Sequence, residues 1–185
     1  MGTIALLKED FVRYSKAKPS TLKVFRLALA KPGFRAMFLY RLGRSLKDNK
    51  FSFLAGLCQR IMHHTCHCYI SVTADIASGF LIAHVGGIVV GGRTVIGKNC
   101  DIRQNVTFGG NFSKKDEQGR SQPSLSDGVS IGAGACILGP VKIGENAIIG
   151  ANSVVTRDVP ANMIASGIPA KVLKERWNLN SDRKL

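Results

Sequence analysis

The chain has 185 residues, of which 45% are apolar, and a formal net charge of +14. A chain of this length and composition can bury one sizeable core, which excludes a disordered tail. No apolar run reaches the roughly 18 residues that a membrane span needs, and the start of the chain lacks the pattern of a signal peptide. The sequence therefore predicts a cytoplasmic protein.

Residues 1–66 form a basic region with helical spacing. They contain 13 Lys+Arg against 3 Asp+Glu, a net charge of +10. Apolar residues recur near helical spacing from Phe34 to Leu46 and from Phe53 to Ile61, which predicts two helices. Because phenylalanines are interleaved with the charges, a membrane surface fits this region better than a nucleic-acid groove. We expect no nucleic-acid partner, and either packing against the rest of the protein or peripheral association with the cytoplasmic face of a membrane.

The stretch HHTCHC at residues 63–68 contains five possible zinc ligands. A structural zinc site usually draws on a second pair of ligands elsewhere in the chain, and none is evident. Of the two alternatives, a metal site and ordinary packing between two structural regions, we expect the second and predict no metal. The five cysteines are an odd number without a secretory signal, which predicts reduced thiols.

Aliphatic or aromatic residues recur every six positions from residue 70 onward, in series that are interrupted twice. The positions are Ile70, Ile76, Ile82, Ile88, Val90, Ile96, Ile102, Phe108, Leu125, Ile131, Ile137, Ile143, Ile149 and Val155. A six-residue period fits neither an amphipathic helix nor a hairpin meander. It is the signature of a parallel β-helix, in which stacked coils share one apolar core.

The two interruptions of this period are expected to border one functional site. The first is an offset of two positions next to His84, within the apolar run LIAHVGGIVVGG. The second is the polar stretch GGNFSKKDEQGRSQP, which predicts a protruding loop at about 110–123. An imidazole in an apolar setting is either a satisfied core residue or a proton-transfer group.

Four motifs accompany the hexads: HVGGIVVGG, IGKNCDIRQNVTFGG, DGVSIGAGACILGPVKIGENAIIGANSVVTRDVP and SGIPAKV. In these motifs the chain resembles the hexapeptide-repeat acyltransferases, most of all their serine acetyltransferase branch. The resemblance implies a mainly β fold: a left-handed parallel β-helix at 67–176 that follows an N-terminal helical region at 1–66 and precedes a C-terminal tail at 177–185. It also implies a homotrimer that binds acetyl-CoA, the acetyl donor, in a groove between neighbouring prisms.

The resemblance further implies roles for individual residues. His84 stands at the position of the family's general base, which takes the proton of the acceptor hydroxyl, and an apolar surround would favour the neutral imidazole that this step needs. The residue that orients His84 is left open between Asp75, Asp101, Gln104 and a backbone carbonyl. The expected contacts to acetyl-CoA are Gly110, Ala133, Ala151, Gly167 and Lys171.

The chain departs from the family pattern around the acceptor. It has Tyr69 and Ala83 in place of two aspartates, Gly92 in place of a glutamate, and Ser121-Gln122 in place of Arg-His. A serine acceptor brings a carboxylate, which the missing arginine would bind. We therefore predict an O-acetyltransferase that acts on a saccharide in bacterial capsule, exopolysaccharide or lipopolysaccharide biosynthesis. The alternatives are a serine O-acetyltransferase of cysteine biosynthesis and a non-catalytic β-helix scaffold.

Overall fold

The computed structural model describes residues 2–111 and 114–176, and the tail expected at 177–185 lies outside them. Within the described residues, four helices come first and fifteen short strands follow. The strands form a parallel β-helix. The expected mainly β fold with an N-terminal helical region is therefore confirmed.

The helices are α1 (Thr3–Tyr14), α2 (Thr21–Ala30), α3 (Pro32–Asp48) and α4 (Ser52–Cys66). The last two include the helices that the apolar spacing predicts. α3 begins at Pro32, because a proline in the first turn sacrifices no helical hydrogen bond. None of the helices in the described part of the chain combines the length and the apolar character that a bilayer crossing demands.

The strands belong to three sheets, and every strand except the last pairs in parallel. One face of the prism contains β1 (Cys68–Ile70), β4 (Ile88–Val90), β7 (Thr107–Gly109), β10 (Cys136–Leu138) and β13 (Val154–Val155). The second contains β2 (Asp75–Ile76), β5 (Val95–Ile96), β8 (Ser124–Leu125) and β11 (Lys142–Ile143). The third contains β3 (Leu81–Ile82), β6 (Asp101–Ile102), β9 (Ser130–Ile131), β12 (Ile148–Ile149), β14 (Met163–Gly167) and β15 (Ala170–Glu175).

The hexad positions of the sequence are inward positions of the coils. All fourteen hexad residues are buried, with at most 3% of their surface exposed. A regular coil has 18 residues, since Ser130 pairs with Ile148 and Ser124 with Lys142. Stacking aligns the inward residues of successive coils in one continuous apolar core that no single coil could bury.

Both interruptions of the period are present in the structure. The first coil has 20 residues, since Leu81 pairs with Asp101. The second interruption separates β7 from β8, where Phe108 and Leu125 are 17 positions apart while regular inward residues are six apart. Ile96 pairs with Leu125, which lies 29 positions further on, so this coil contains more residues than the regular 18, as the polar stretch predicts.

The corners of the prism depend on residues with left-handed backbone conformation. Gly134 has φ +72°, and a Cβ at this position would collide with the side-chain oxygen of Asn152 in the next coil. Asn152 itself has φ 54°, a conformation that asparagine tolerates better than most residues. Glycine and asparagine thus fix how closely the coils stack at this corner.

A buried ion pair fastens the helices to the first coil. Arg41 in α3 contacts Asp10 in α1 through two hydrogen bonds, of 2.9 and 3.2 Å, and neither side chain is more than 4% exposed. Asp10 also accepts from the backbone N–H groups of Gly79 and Phe80, at 2.8 and 3.3 Å. Arg41 donates in addition to the Ile76 carbonyl, so the pair joins two helices to the prism.

Other arginines of the basic region also serve the fold. Arg13, Arg35 and Arg44 each donate to backbone carbonyl oxygens at distances between 2.5 and 3.0 Å. Some of the positively charged side chains of residues 1–66 therefore form hydrogen bonds within the protein.

Candidate active site

His84 lies in the expanded corner between β3 and β4. The Ala83 N–H donates to a carbonyl of the next coil at 3.0 Å, and the Gly86 carbonyl accepts from an N–H of that coil at 2.8 Å. In the next coil, the positions opposite Ala83 and Gly86 are the adjacent residues 103–104. His84 and Val85 are therefore the two residues by which this coil exceeds the regular 18, and they have no opposite positions in the next coil. The sequence predicted an offset next to His84, and the hydrogen bonds place it at His84 itself.

The His84 side chain is exposed in the single chain. It makes no hydrogen bond to any residue that the structure describes. Its neighbours in sequence, such as Ile82 and Ile88, point into the core of the prism. The apolar run around His84 thus serves the core, while the expanded corner presents the imidazole at the surface.

The residues proposed to orient His84 occupy different places. Asp75 lies on β2, in another sheet, and Asp101 accepts a hydrogen bond of 2.8 Å from the Ser130 hydroxyl. Gln104 lies in the corner of the next coil, on the edge of the prism that carries His84. Its Oε1 is buried and has no hydrogen-bond partner among the described residues. Of these three side chains, Gln104 is the one with a buried acceptor that has no partner among the described residues.

Three of the expected acetyl-CoA contacts lie on the same edge of the prism as His84. Ala133 follows β9, Ala151 follows β12, and Gly167 ends β14, all strands of the sheet that contains β3. The Ala133 carbonyl accepts at 2.8 Å from the N–H that follows Ala151, and the Gly167 N–H donates to the Ser153 hydroxyl at 3.2 Å. The structure therefore aligns these residues in successive coils, with His84 in the first.

The other two expected contacts are placed differently. Lys171 is an exposed residue of β15, opposite Ser166 of β14, so it extends the same edge. Gly110 follows β7 and lies at the base of the long loop, on another edge of the prism. Within one chain, the structure does not bring Gly110 together with His84.

The long loop holds its arginine in an internal ion pair. Arg120 Nε lies 2.7 Å from Asp116 Oδ2, and the Arg120 backbone N–H donates to the same carboxylate at 2.8 Å. These hydrogen bonds lower the pKa of Asp116. Arg120, one position before Ser121, is thus already neutralised by a carboxylate.

A cavity of about 240 Å³ lies beside the corner that carries His84. It is bounded by the end of α1, the start of α3 and strand β3. Its lining includes Arg13, Tyr14, Lys31, Gly33, Ile82 and Ala83. Tyr14 Oη accepts a hydrogen bond of 2.7 Å from the Ile82 N–H, and burial raises the pKa of the Tyr14 hydroxyl, which keeps it neutral.

Sequence reasoning missed this cavity because about seventy positions separate Arg13 from Ala83. The one sequence signal was positive charge, which did not distinguish Arg13 and Lys31 from the rest of the basic region. A second, apolar cavity of about 290 Å³ lies among α1, α2 and α3 and is lined by none of the predicted site residues.

Within residues 63–68 the two cysteines are buried where the helices meet the prism, whereas the three histidines are exposed. Across the described residues, no group of three or more His, Cys, Asp or Glu side chains is placed to hold a metal ion. Cys66 and Cys68 are buried in the main core, and burial raises the pKa of both thiols. All five cysteines are free.

A family match and two related proteins support this architecture. The family described as "Bacterial transferase hexapeptide (six repeats)" matches residues 123–157. The chain is 34% identical to a serine acetyltransferase of Bacillus subtilis over 95% of its own length and 82% of the relative. It is also 34% identical to a serine acetyltransferase of Helicobacter pylori, over 90% of this chain and 96% of that one.

Solved structures agree with these relatives. A Neisseria gonorrhoeae serine acetyltransferase in complex with serine is similar with a TM-score of 0.80 and 32% identity, covering 93% of this chain and 69% of that one. A serine acetyltransferase in complex with CoA is similar with a TM-score of 0.78 and 32% identity, covering 92% and 69%.

These comparisons overturn one prediction. The predicted saccharide acceptor, and with it a role in polysaccharide biosynthesis, is wrong: both of these relatives, which match across 90% or more of the chain, are serine acetyltransferases. The prediction gave too much weight to a few local departures such as Tyr69 and Ser121, whereas the similarity extends through the helices and the whole prism. The chain is an acetyl-CoA-dependent acyltransferase, and it belongs to the serine acetyltransferase family.

Proposed function

We propose that this chain transfers the acetyl group of acetyl-CoA to the side-chain hydroxyl of L-serine, with O-acetylserine and CoA as products. The observation that carries this proposal is the similarity to serine acetyltransferases over nearly the full length of both chains. Local motifs alone would not carry it, because hexapeptide repeats occur with several acceptors.

His84 is the general base of this reaction. A serine hydroxyl is a poor nucleophile at neutral pH, and an imidazole titrates in the range where it can take up the hydroxyl proton. As the serine oxygen attacks the acetyl carbonyl, His84 Nδ1 or Nε2 accepts the proton. When the carbon–sulfur bond breaks, the imidazolium returns this proton to the leaving thiolate of CoA. The exposed position in the expanded corner supports this role, because the imidazole is accessible to both substrates.

The edge of the prism below His84 fits acetyl-CoA. Ala133, Ala151 and Gly167 have little or no side chain, which allows close approach of the pantetheine arm to the backbone. Lys171 is exposed at the far end of this edge and would lie near the nucleotide phosphates. The supporting observation is that Ala133, Ala151, Gly167 and Lys171 lie along the edge of the prism that also carries His84.

We infer that the active enzyme is a homotrimer with acetyl-CoA between neighbouring prisms. Gly110 lies on a different edge from His84, so it would contact the same donor only from an adjacent chain. Size-exclusion chromatography with light scattering is expected to give a mass of three chains. A monomer that retains full activity would contradict this inference.

A cytoplasmic location is part of this proposal, since both substrates are small soluble metabolites. Peripheral membrane association is not part of it. The basic residues that motivated that prediction include Arg13, Arg35 and Arg44, which are bonded to backbone carbonyls.

The proposed function is tested with purified protein, acetyl-CoA and L-serine. Thiol release should depend on L-serine, and mass spectrometry should detect O-acetylserine. Turnover only with hydroxyl compounds that lack a carboxylate would contradict the proposal, as would binding of acetyl-CoA without any transfer.

A further inference from the structure

We infer that the cavity beside His84 binds the carboxylate of the acceptor, with Arg13 and Lys31 as its cationic side chains. The inference rests on the proposed function, since L-serine is the acceptor that brings the carboxylate. It assigns a binding role to the helical region, which otherwise serves to cap the prism.

Two positive charges face this cavity without a carboxylate partner. Arg13, in the last turn of α1, donates to the Gly79 carbonyl at 3.0 Å and approaches Asn99 Oδ1 at 3.4 Å, both neutral acceptors. Lys31 is exposed, and its side-chain ammonium has no hydrogen bond or ion pair to the residues that the structure describes. The nearby buried acid Asp10 is already paired with another arginine. The cavity therefore has an uncompensated positive charge, which favours an anionic ligand.

The start of α3 adds to this charge. Lys31 is the N-cap residue of α3, and no side chain caps the free N–H groups of the first turn. The first turn contains no acidic residue either, and Gly33 of this turn lines the cavity. The N-terminus of a 17-residue helix carries a partial positive charge and favours anions. The two side chains and the helix end thus act on the same space.

The cavity lies on the correct side of His84 for an acceptor. Ala83 lines the cavity and directly precedes His84 in the chain. The expected acetyl-CoA contacts lie in later coils, from Ala133 to Lys171, on the opposite side of His84 along the same edge. An acceptor held in the cavity and a donor held along the edge would meet at the imidazole.

This arrangement also accounts for the altered loop. Ser121 replaces the arginine that the family uses, and Arg120 is neutralised by Asp116. Arg13 and Lys31 supply the positive charge from the helical region instead. A guanidinium and an ammonium can each form a charge-assisted hydrogen bond to a carboxylate.

The test compares L-serine with L-serinamide, which keeps the hydroxyl and the amine but lacks the carboxylate. Lys31→Gln and Arg13→Gln should each raise KM for L-serine about 10-fold or more. They should leave KM for L-serinamide and for acetyl-CoA unchanged. Lys16→Gln removes the same charge from an exposed residue outside the cavity and should change none of these constants. Lys31 is exposed, so its variant is informative even if Arg13→Gln folds poorly.

The outcomes separate this inference from the proposed function. If the wild type acetylates L-serine and both variants keep its KM, the cavity assignment is wrong and the function stands. A rise in KM for acetyl-CoA instead would assign the cavity to the donor phosphates and overturn the inference. If the wild type does not acetylate L-serine, calorimetry with glycerate decides: binding to the wild type but not to Lys31→Gln supports the carboxylate site, and equal or absent binding rejects it.

Discussion

Gly33 brings the start of α3 against the strand that leads to His84. A Cβ at this position would collide with the carbonyl oxygen of Ile82, and a backbone atom cannot turn aside as a side chain can. We expect Gly33→Ala to lower the free energy of unfolding by about 1–3 kcal/mol and to reduce kcat, because Ile82 must move and lies two positions before His84. Urea unfolding and steady-state kinetics check both effects.

Gly56→Ala is the matched control for this substitution. Gly56 also lies within a helix, α4, but nothing lies within 4 Å of a Cβ placed there. The higher helix propensity of alanine should raise the free energy of unfolding by about 0.5–1 kcal/mol. If the two variants shift stability in the same direction by the same amount, the close packing of α3 on β3 has no energetic importance.

Single residues also show where sequence reasoning succeeded and failed. The fourteen hexad residues were predicted to point inward and are buried, because a strict period of six leaves one solution for where each side chain points. His84 was recognised as an anomaly, but its apolar surround was inferred from neighbours in sequence. Those neighbours face the core, so sequence proximity did not give spatial proximity.

At the scale of elements, the ion pair between α1 and α3 decides how the helices attach to the prism. Arg41→Met leaves the buried Asp10 carboxylate without its cationic partner. Breaking a buried pair in this way costs about 3–5 kcal/mol. We expect the free energy of unfolding, measured by urea denaturation, to fall by this amount.

Arg120→Met provides the comparison at an exposed pair. Arg120 and Asp116 are 37% and 17% exposed and lie in the loop outside the prism. Exposed pairs contribute about 0–1 kcal/mol, so stability should hardly change. If Arg41→Met and Arg120→Met lowered the free energy of unfolding equally, the helical region would not be anchored through Asp10 and Arg41.

The elements themselves differ in how far the sequence determines them. α3 and α4 follow from apolar spacing, and the long loop follows from a polar stretch that could not continue the core. The expanded corner was predicted only as an offset, since aliphatic spacing does not reveal which backbone hydrogen bonds close around it. The cavity between α1, α3 and β3 could not be predicted, because it depends on how the helices pack on the first coil.

At the scale of the whole molecule, the free thiols predict how stability depends on pH. Burial raises the pKa of Cys100 to about 11, from an ordinary value of 9.0. Between these values the unfolded chain loses a proton that the folded chain keeps, so the free energy of unfolding should fall as pH rises from 9 to 11. Urea unfolding at several pH values checks this trend, and rising stability over that range would contradict it.

Thiol reactivity gives an independent check on the same cysteines. At pH 8, a disulfide reagent should react with at most the half-buried Cys136 in the native protein and with all five cysteines after unfolding. Rapid reaction of all five in the native state would mean that the junction around Cys66 and Cys68 is open.

The acceptor class is the whole-molecule property that the sequence did not yield. The departures at Tyr69, Ala83 and Ser121 are local, and such single positions say little about a pocket built from distant segments. Arg13 and Lys31 lie far from these positions in the chain and belong to a helical region that was interpreted as a packing or membrane surface. Comparison over nearly the full length of the chain corrected the predicted acceptor class.

The central claim is that the histidine of the expanded corner is the catalytic base. The most direct measurement is serine-dependent thiol release from acetyl-CoA by His84→Ala, with His63→Ala as a control that removes an exposed histidine of α4. We predict that His84→Ala lowers kcat by about 10²- to 10⁴-fold, the usual contribution of a general base, with an unchanged affinity for acetyl-CoA, while His63→Ala keeps full activity. Turnover by His84→Ala within a few-fold of the wild type would contradict the claim.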